Sequence, residues 1–207
     1  VRDLWPELPR AMGVIKNPVL LWLMEVLEWL SYHSANQVIG LSPGIEKGIE
    51  RRGVKKSKIG MVPNGCDLKL FNPNGVGKAV LVEFSQFDYF AVFAGAHGLA
   101  NGLDQLLNVA AALKASDRLD IGLLFVGEGS LKKELIREAK IRGLNNCIFL
   151  DPVPKIELAK IFREADIGLM VLADVPAFYY GTSPNKFFDY ISSGLPVINN
   201  YPGWLAE

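Results

Sequence analysis

The sequence predicts an α/β fold in which parallel, doubly wound sheets are carried on one and a half domains. Three observations lead there. The chain has 207 residues, more than a usual single domain, and half of them are apolar, enough to bury one core and part of a second. From Phe90 onward strand-like and helix-like runs alternate without interruption, as in successive βαβ units. Glycine turns stand where a strand hands over to a helix, the edge at which such sheets bind ligands.

The elements follow in order. Val1-Arg2-Asp3-Leu4-Trp5-Pro6 reads as a strand-to-loop transition without an initiator Met, and the chain stops just after Pro202-Gly203-Trp204, where a helix is expected; both ends suit an internal fragment. Pro18 starts a helix whose Val19 to Leu30 stretch is apolar on nearly all sides except an acidic stripe at Glu25 and Glu28. Such a helix is either buried or rests on lipid, and about a dozen apolar residues fall short of the roughly 20 that a bilayer span needs. A short strand, residues 37–41, leads to Ser42-Pro43, which caps a helix reaching Arg52, and a second strand covers 58–62. Pro63-Asn64-Gly65 breaks the pattern, and Asn72-Pro73-Asn74-Gly75 and Gly77 continue without periodicity. The expected organisation is residues 1–75, a linker at 76–86, and a second domain at 87–207.

That second domain is expected to run strand 90–94, a helix with Leu103, Leu106, Leu107 and Ala110 on one face, and strand 121–126. A helix to Arg142, strand 148–150, helix 155–164, strand 167–172, helix 185–193 and strand 197–199 complete it.

Composition excludes several classes. Lys plus Arg is 22 and Asp plus Glu is 22, with no like-charge run, so nothing matches a nucleic-acid backbone. Cys66 and Cys147 stand far apart without metal-ligand spacing, which argues against a disulfide framework and structural zinc and makes a reducing cytoplasm the expected location.

Three stretches can carry chemistry. Gly95-Ala96-His97-Gly98 follows one strand and precedes a helix, so its amides can approach an anion and His97 can donate to a phosphate oxygen; a tight turn with an exposed histidine fits the spacing equally well. Gly127-Glu128-Gly129-Ser130 repeats the arrangement in the next unit, with Ser130 as a plain helix N-cap the alternative reading. Ser183, Asn185, Lys186 and Asp189 open a later helix. There Lys186 can bind a diphosphate and Asp189 can accept bonds from ribose or sugar hydroxyls, while a surface ion pair between the two is the simpler alternative.

The run Ser183-Pro184-Asn185-Lys186-Phe187-Phe188-Asp189-Tyr190-Ile191-Ser192-Ser193-Gly194-Leu195-Pro196-Val197-Ile198 resembles the donor-site signature of the family-four retaining glycosyltransferases. So do Val62-Pro63-Asn64-Gly65-Cys66-Asp67 with Phe71-Asn72-Pro73, Phe93-Ala94-Gly95, and Phe125-Val126-Gly127-Glu128-Gly129. Arg2-Asp3-Leu4-Trp5-Pro6-Glu7 is similar to a segment of the bacterial capsule, O-antigen and exopolysaccharide subgroup.

The resemblance implies two Rossmann-like domains in the GT-B arrangement, the first incomplete here: the end of an acceptor domain, then a nucleotide-sugar-binding domain. It implies transfer with retention from a nucleotide diphosphosugar, UDP-linked by preference, to a hydroxyl of a glycan or polyprenyl-diphosphate-linked acceptor. No metal or other cofactor is implied, and the place of work is the cytoplasm, with peripheral contact at the inner membrane face.

Residue by residue, Asp189 matches the second acid of the family's Glu-x7-Glu element, whose first acid is Gly181 here, and Ala96 and Asn101 stand where many members carry Arg and Lys. Lys186 and His97 are left to hold the phosphates, with Gly95, Gly98, Gly127, Glu128 and Gly129 around the donor. Arg2 and Asp3 align where the acceptor domain faces the scissile bond, although a strand-end salt bridge also explains them. Two rivals remain, a nucleotide-sugar epimerase of the same fold and a non-catalytic nucleotide-binding module.

Overall fold

The structure, a computed structural model, describes residues 1–75 and 81–207. They form two compact units: Val1–Asn64 with Asp174–Pro184 and Tyr201–Glu207, and Gly65–Ala173 with Asn185–Asn200.

The first unit holds α1 (Glu7–Ala11), α2 (Pro18–Ser34), β1 (Val38–Gly40), α3 (Pro43–Arg51) and β2 (Ile59–Met61). α1 follows the strand-to-loop stretch and has no counterpart in the sequence reading; Glu7 in its first turn and Arg10 in its last match the helix dipole. Asn17 caps α2 by accepting from the Val19 and Leu20 amides, and Ser42 caps α3 by accepting from Ile45, as its sequence position predicts. The strands pair in parallel, Val38 opposite Ile59, over a small core of Tyr32, Val38, Ile45, Ile49 and Val54. Glu28, buried on α2, accepts from the Tyr32 hydroxyl and pairs with Arg52 at 2.7 Å. α2 turns only its Leu21, Glu28 and Tyr32 face inward; Trp22 is 60% and Leu27 64% exposed, so the helix is not buried all round within this unit. Among the described residues no helix is long and apolar enough to cross a membrane.

The second unit runs β3 (Tyr89–Ala94), α4 (Asp104–Ala115), β4 (Ile121–Val126), α5 (Lys132–Ile141), β5 (Cys147–Leu150), α6 (Lys155–Glu164), β6 (Ile167–Met170), α7 (Asn185–Ser192) and β7 (Val197–Asn199). All five strands are parallel, in the order β5-β4-β3-β6-β7. The α/β, doubly wound expectation therefore holds, and the strand-to-strand reversal falls between β3 and β6, where ligands of such sheets bind.

Residue alternation makes two cores. Phe90, Val92 and Ala94 of β3 join Leu124, Val126, Phe162 and Tyr190 on one face, while Ala91 and Phe93 join Leu123, Phe125, Leu103 and Leu107 on the other. Phe162 is fully buried, and truncating such a side chain to Ala costs about 3–5 kcal/mol.

Three details differ from the sequence reading. β6 stops at Met170 rather than 172, because the Leu172 amide donates to the Asn200 side chain instead of continuing the ladder. Ser130 is not the cap of α5; the N-cap position falls one residue later, at Leu131, and the helix begins at Lys132 without a side-chain cap. The expected linker, 76–86, includes residues 76–80, which lie outside the described residues. Its upstream neighbour, 65–75, packs with the second unit because Phe71 is fully buried against Phe162.

Candidate functional site

The loops after β3 and β4 are joined backbone to backbone. The Gly95 amide donates to the Val126 carbonyl at 2.9 Å, the His97 amide to Glu128 at 2.8 Å, and the Leu131 amide to His97 at 2.9 Å. Gly127 sits at φ +143°, a region that strains any L side chain, and its Cβ would overlap the Gly95 carbonyl oxygen. A Cβ on Gly129 would overlap the His97 carbonyl in the same way. The glycines are needed so that the two turns can lie against each other, forming one double turn at the C-terminal edge of the sheet.

His97, allowed for as an exposed turn residue, is fully buried. Its ring lies 6.1, 6.4 and 6.5 Å from those of Phe93, Phe125 and Phe149. Neither ring nitrogen has a hydrogen-bond partner among the described residues. Burial lowers its pKa, and the nearby Lys132 and Lys186 ammonium groups lower it further against the opposing Glu128 carboxylate, so the imidazole is held neutral. The ring is not presented to a surface ligand; His97 contributes its backbone to the double turn.

Lys186, on the first turn of α7, reaches back over the end of β3. Its Nζ lies 3.9 Å from the Phe93 ring centroid and donates to Asn101 Oδ1 at 3.3 Å. A Cβ on Gly95 would stand 3.3 Å from that nitrogen, which places the ammonium at the mouth of the first glycine loop. Among the described residues no carboxylate pairs with it, and burial pushes its pKa down to about 7. The surface ion pair with Asp189 is therefore not formed. Asp189 is buried instead, and burial raises its pKa against the lowering influence of Lys155. A partly buried cation without a counter-ion, beside a loop of backbone amides, is a place for an anion.

Other expected residues are placed as follows. Asn185 is the exposed first residue of α7, and Glu128 accepts from the Gly129 amide through its own carboxylate. A Cβ at Gly98 would meet nothing within 4 Å, so this loop edge is open. Ser183 belongs to the first unit, where its hydroxyl accepts from the Asn64 amide at 3.1 Å and its carbonyl from the Asn64 side chain. Arg2 and Asp3 are exposed in the first unit, and neither forms an ion pair among the described residues, so the strand-end salt bridge is absent. At Gly181 a Cβ would overlap the Ala177 carbonyl, leaving no room for the family's acid.

Three residues have roles that the sequence does not reveal. Asn101 does more than replace a basic residue: it binds Lys186 and, through Nδ2, the Ala96 carbonyl at 2.7 Å. Tyr190 accepts the Ala94 amide at 2.9 Å and so fixes the end of β3; its ring, fully buried, could have been marked only as core. Lys132, at 5% exposure, is indistinguishable in the sequence from its neighbour Lys133.

Comparison with known proteins bears on the same residues. EpsF of Bacillus subtilis (strain 168), named as a glycosyltransferase, is 28% identical over 153 residues, which cover 70% of this chain and 36% of EpsF. Among solved structures, Anabaena Alr3699/HepE in complex with UDP-glucose superposes with a TM-score of 0.67 at 16% identity, over 84% of this chain and 47% of that one. WaaG, a glycosyltransferase involved in lipopolysaccharide biosynthesis, superposes with a TM-score of 0.67 at 14% identity, over 94% and 53%. At these identities the likeness is one of fold, that of GT-B glycosyltransferases, and this chain spans about half the length of those structures and about a third of EpsF. The family model described as "Glycosyl transferases group 1" matches residues 89–204, more than half of the chain and all of β3 to β7. The chain belongs to the group 1 glycosyltransferases.

Proposed function

We propose that this chain carries the donor site of an enzyme that transfers a sugar, with retention, from a nucleotide diphosphosugar to a hydroxyl of a glycan or polyprenyl-diphosphate-linked acceptor. UDP is the favoured nucleotide, and cell-surface glycan assembly at the cytoplasmic face of the membrane is the setting. The observation that carries the reading is the Lys186 ammonium, partly buried without a counter-ion beside the Gly95 loop at the switch point of the sheet. The HepE structure that shares the fold holds UDP-glucose, which supports the choice of UDP.

In this reading the donor diphosphate lies over the double turn, with Lys186 and backbone amides of residues 95–98 and 127–129 neutralising it, and Asp189 accepts from ribose or sugar hydroxyls. Departure of the nucleoside diphosphate is assisted by the same positive groups, and by no metal. Arg2 and Asp3, in the first unit, orient the acceptor or the transferred sugar. Capsule, O-antigen or exopolysaccharide synthesis is the proposed pathway class, and the involvement of WaaG in lipopolysaccharide biosynthesis supports a cell-surface glycan.

One observation favours a second reading, a nucleotide-binding module without turnover: the family's first acid has no room at Gly181. Calorimetric titration with UDP and GDP tests the donor site. Saturable UDP binding, weakened by about 10- to 100-fold in Lys186→Ala and Asp189→Ala, is expected from losing one charge-assisted bond each. Binding of neither nucleotide refutes the site. Donor binding by the full-length protein without transfer to any acceptor selects the module.

A further inference from the structure

Lys132, in the first turn of α5, makes more polar contacts than any residue of the donor loops, and its partners are the second glycine turn and the end of β5 rather than the Gly95 loop. Its Nζ donates to the Gly127 carbonyl at 2.9 Å, the Leu150 carbonyl at 3.1 Å and Asp151 Oδ1 at 2.7 Å, and lies 3.4 Å from Glu128 Oε2. Gly127 follows β4 directly, and Leu150 ends β5. Burial by itself would lower the pKa of this ammonium, but Asp151 and Glu128 outweigh it and raise the net value, so the group stays charged.

The acceptors matter because of where they sit. Gly127 and Glu128 belong to the second glycine turn, and that turn holds the first through the His97 amide and the Leu131 amide. A lysine that gathers the carbonyls ending two neighbouring strands therefore fixes the height and tilt of both turns. The sheet adds only one further bond here, from the Gly127 amide to the Leu150 carbonyl at 3.2 Å, and beyond Gly127 the register of β4 against β5 has ended.

We propose that Lys132 is a positioning residue of the donor site: it clamps the ends of β4 and β5 so that the double turn keeps its amides aimed at the diphosphate, and it does not touch the nucleotide itself. The proposal rests on the donor-site reading above. It differs from a role in neutralising phosphate, which belongs to Lys186.

The test compares wild type with Lys132→Met, which keeps the length of the stem and removes the donors. In the absence of nucleotide, hydrogen exchange at the His97, Gly127 and Leu131 amides accelerates at least about tenfold in the variant, while that of the Val92 and Leu124 amides is unchanged. UDP affinity, by calorimetry, falls about 10- to 100-fold, the cost of misplaced binding groups, and the slope of log Kd against log salt concentration stays that of wild type. Affinity within about twofold of wild type, or a reduced salt slope, overturns the assignment. In the wild type itself, UDP shifts the Lys186 side-chain 13Cε resonance and leaves that of Lys132 in place, so a Lys132 shift as large also overturns it, whether or not the variant folds. If wild type binds no UDP, the donor reading fails, and the exchange comparison still decides whether the clamp exists.

Discussion

Raising the pH through neutrality should weaken donor binding, and Lys186 sets the size of the effect. Burial holds its amine at about 7 in the empty site, against an ordinary lysine value of about 10.4. A diphosphate seated beside it favours the ammonium and returns the bound-state value toward that ordinary range. Below pH 7 the empty site is already charged and binding is at full strength. Each unit above pH 7 leaves a tenfold smaller charged fraction, so Kd rises about tenfold between pH 6 and 8 and about a hundredfold by pH 9. UDP-glucose is the ligand to use, because its diphosphate is esterified at both ends and does not titrate in this range. Burial lowers the His97 pKa, so that ring adds no charge change above neutrality, and comparison with Lys186→Met separates the ammonium from Asp189, whose pKa burial raises. Calorimetry at about pH 7 in buffers of different ionisation enthalpy should show uptake of about half a proton per donor bound. A Kd that stays flat from pH 6 to 8, or the same dependence retained in Lys186→Met, would refute the reasoning.

Further outcomes follow from the same geometry. Lys186→Met should stabilise the empty protein by about 1–3 kcal/mol at pH 6, after discounting for partial exposure, because the wild type must bury an uncompensated ammonium there. The difference should shrink as pH rises and vanish above about pH 10, since the unfolded chain binds the extra proton between these limits; thermal unfolding across pH checks it. Gly127→Ala introduces a Cβ at positive φ against the Gly95 carbonyl and should cost more than about 2 kcal/mol in urea unfolding, with UDP affinity falling in parallel. Tyr190→Phe leaves the buried Ala94 amide without an acceptor and should cost about 1–3 kcal/mol by the same assay, with no change in the unfolding slope.

The sheet was legible because its signals are local. Apolar runs of four to six residues at β3 to β6, each followed by an amphipathic helix, admit little else, and the glycine turns mark which edge faces a ligand. Lys186 and Asp189 were legible by motif, but their separation was not: spacing of three on a helix suggests an ion pair, whereas packing sends one side chain toward Phe93 and buries the other. The burial of His97 depends on Phe93, Phe125 and Phe149 standing in register across three strands, which no reading of one strand at a time reveals. Ser130 failed as a cap because the first turn of α5 is set by the double turn and not by local capping chemistry. α2 was ambiguous for a different reason: its apolar residues are spread around the axis, and this unit covers only one side of it.

The division into two units also sorts the chromophores. All four tryptophans, Trp5, Trp22, Trp29 and Trp204, fall in the first unit, and the donor unit has none. Fluorescence excited at the red edge of the indole band therefore watches one unit alone, whereas far-ultraviolet dichroism is weighted toward the helices and strands of the other. Denaturation curves recorded by the two signals will superimpose if the units melt as one cooperative block and separate if each melts by itself.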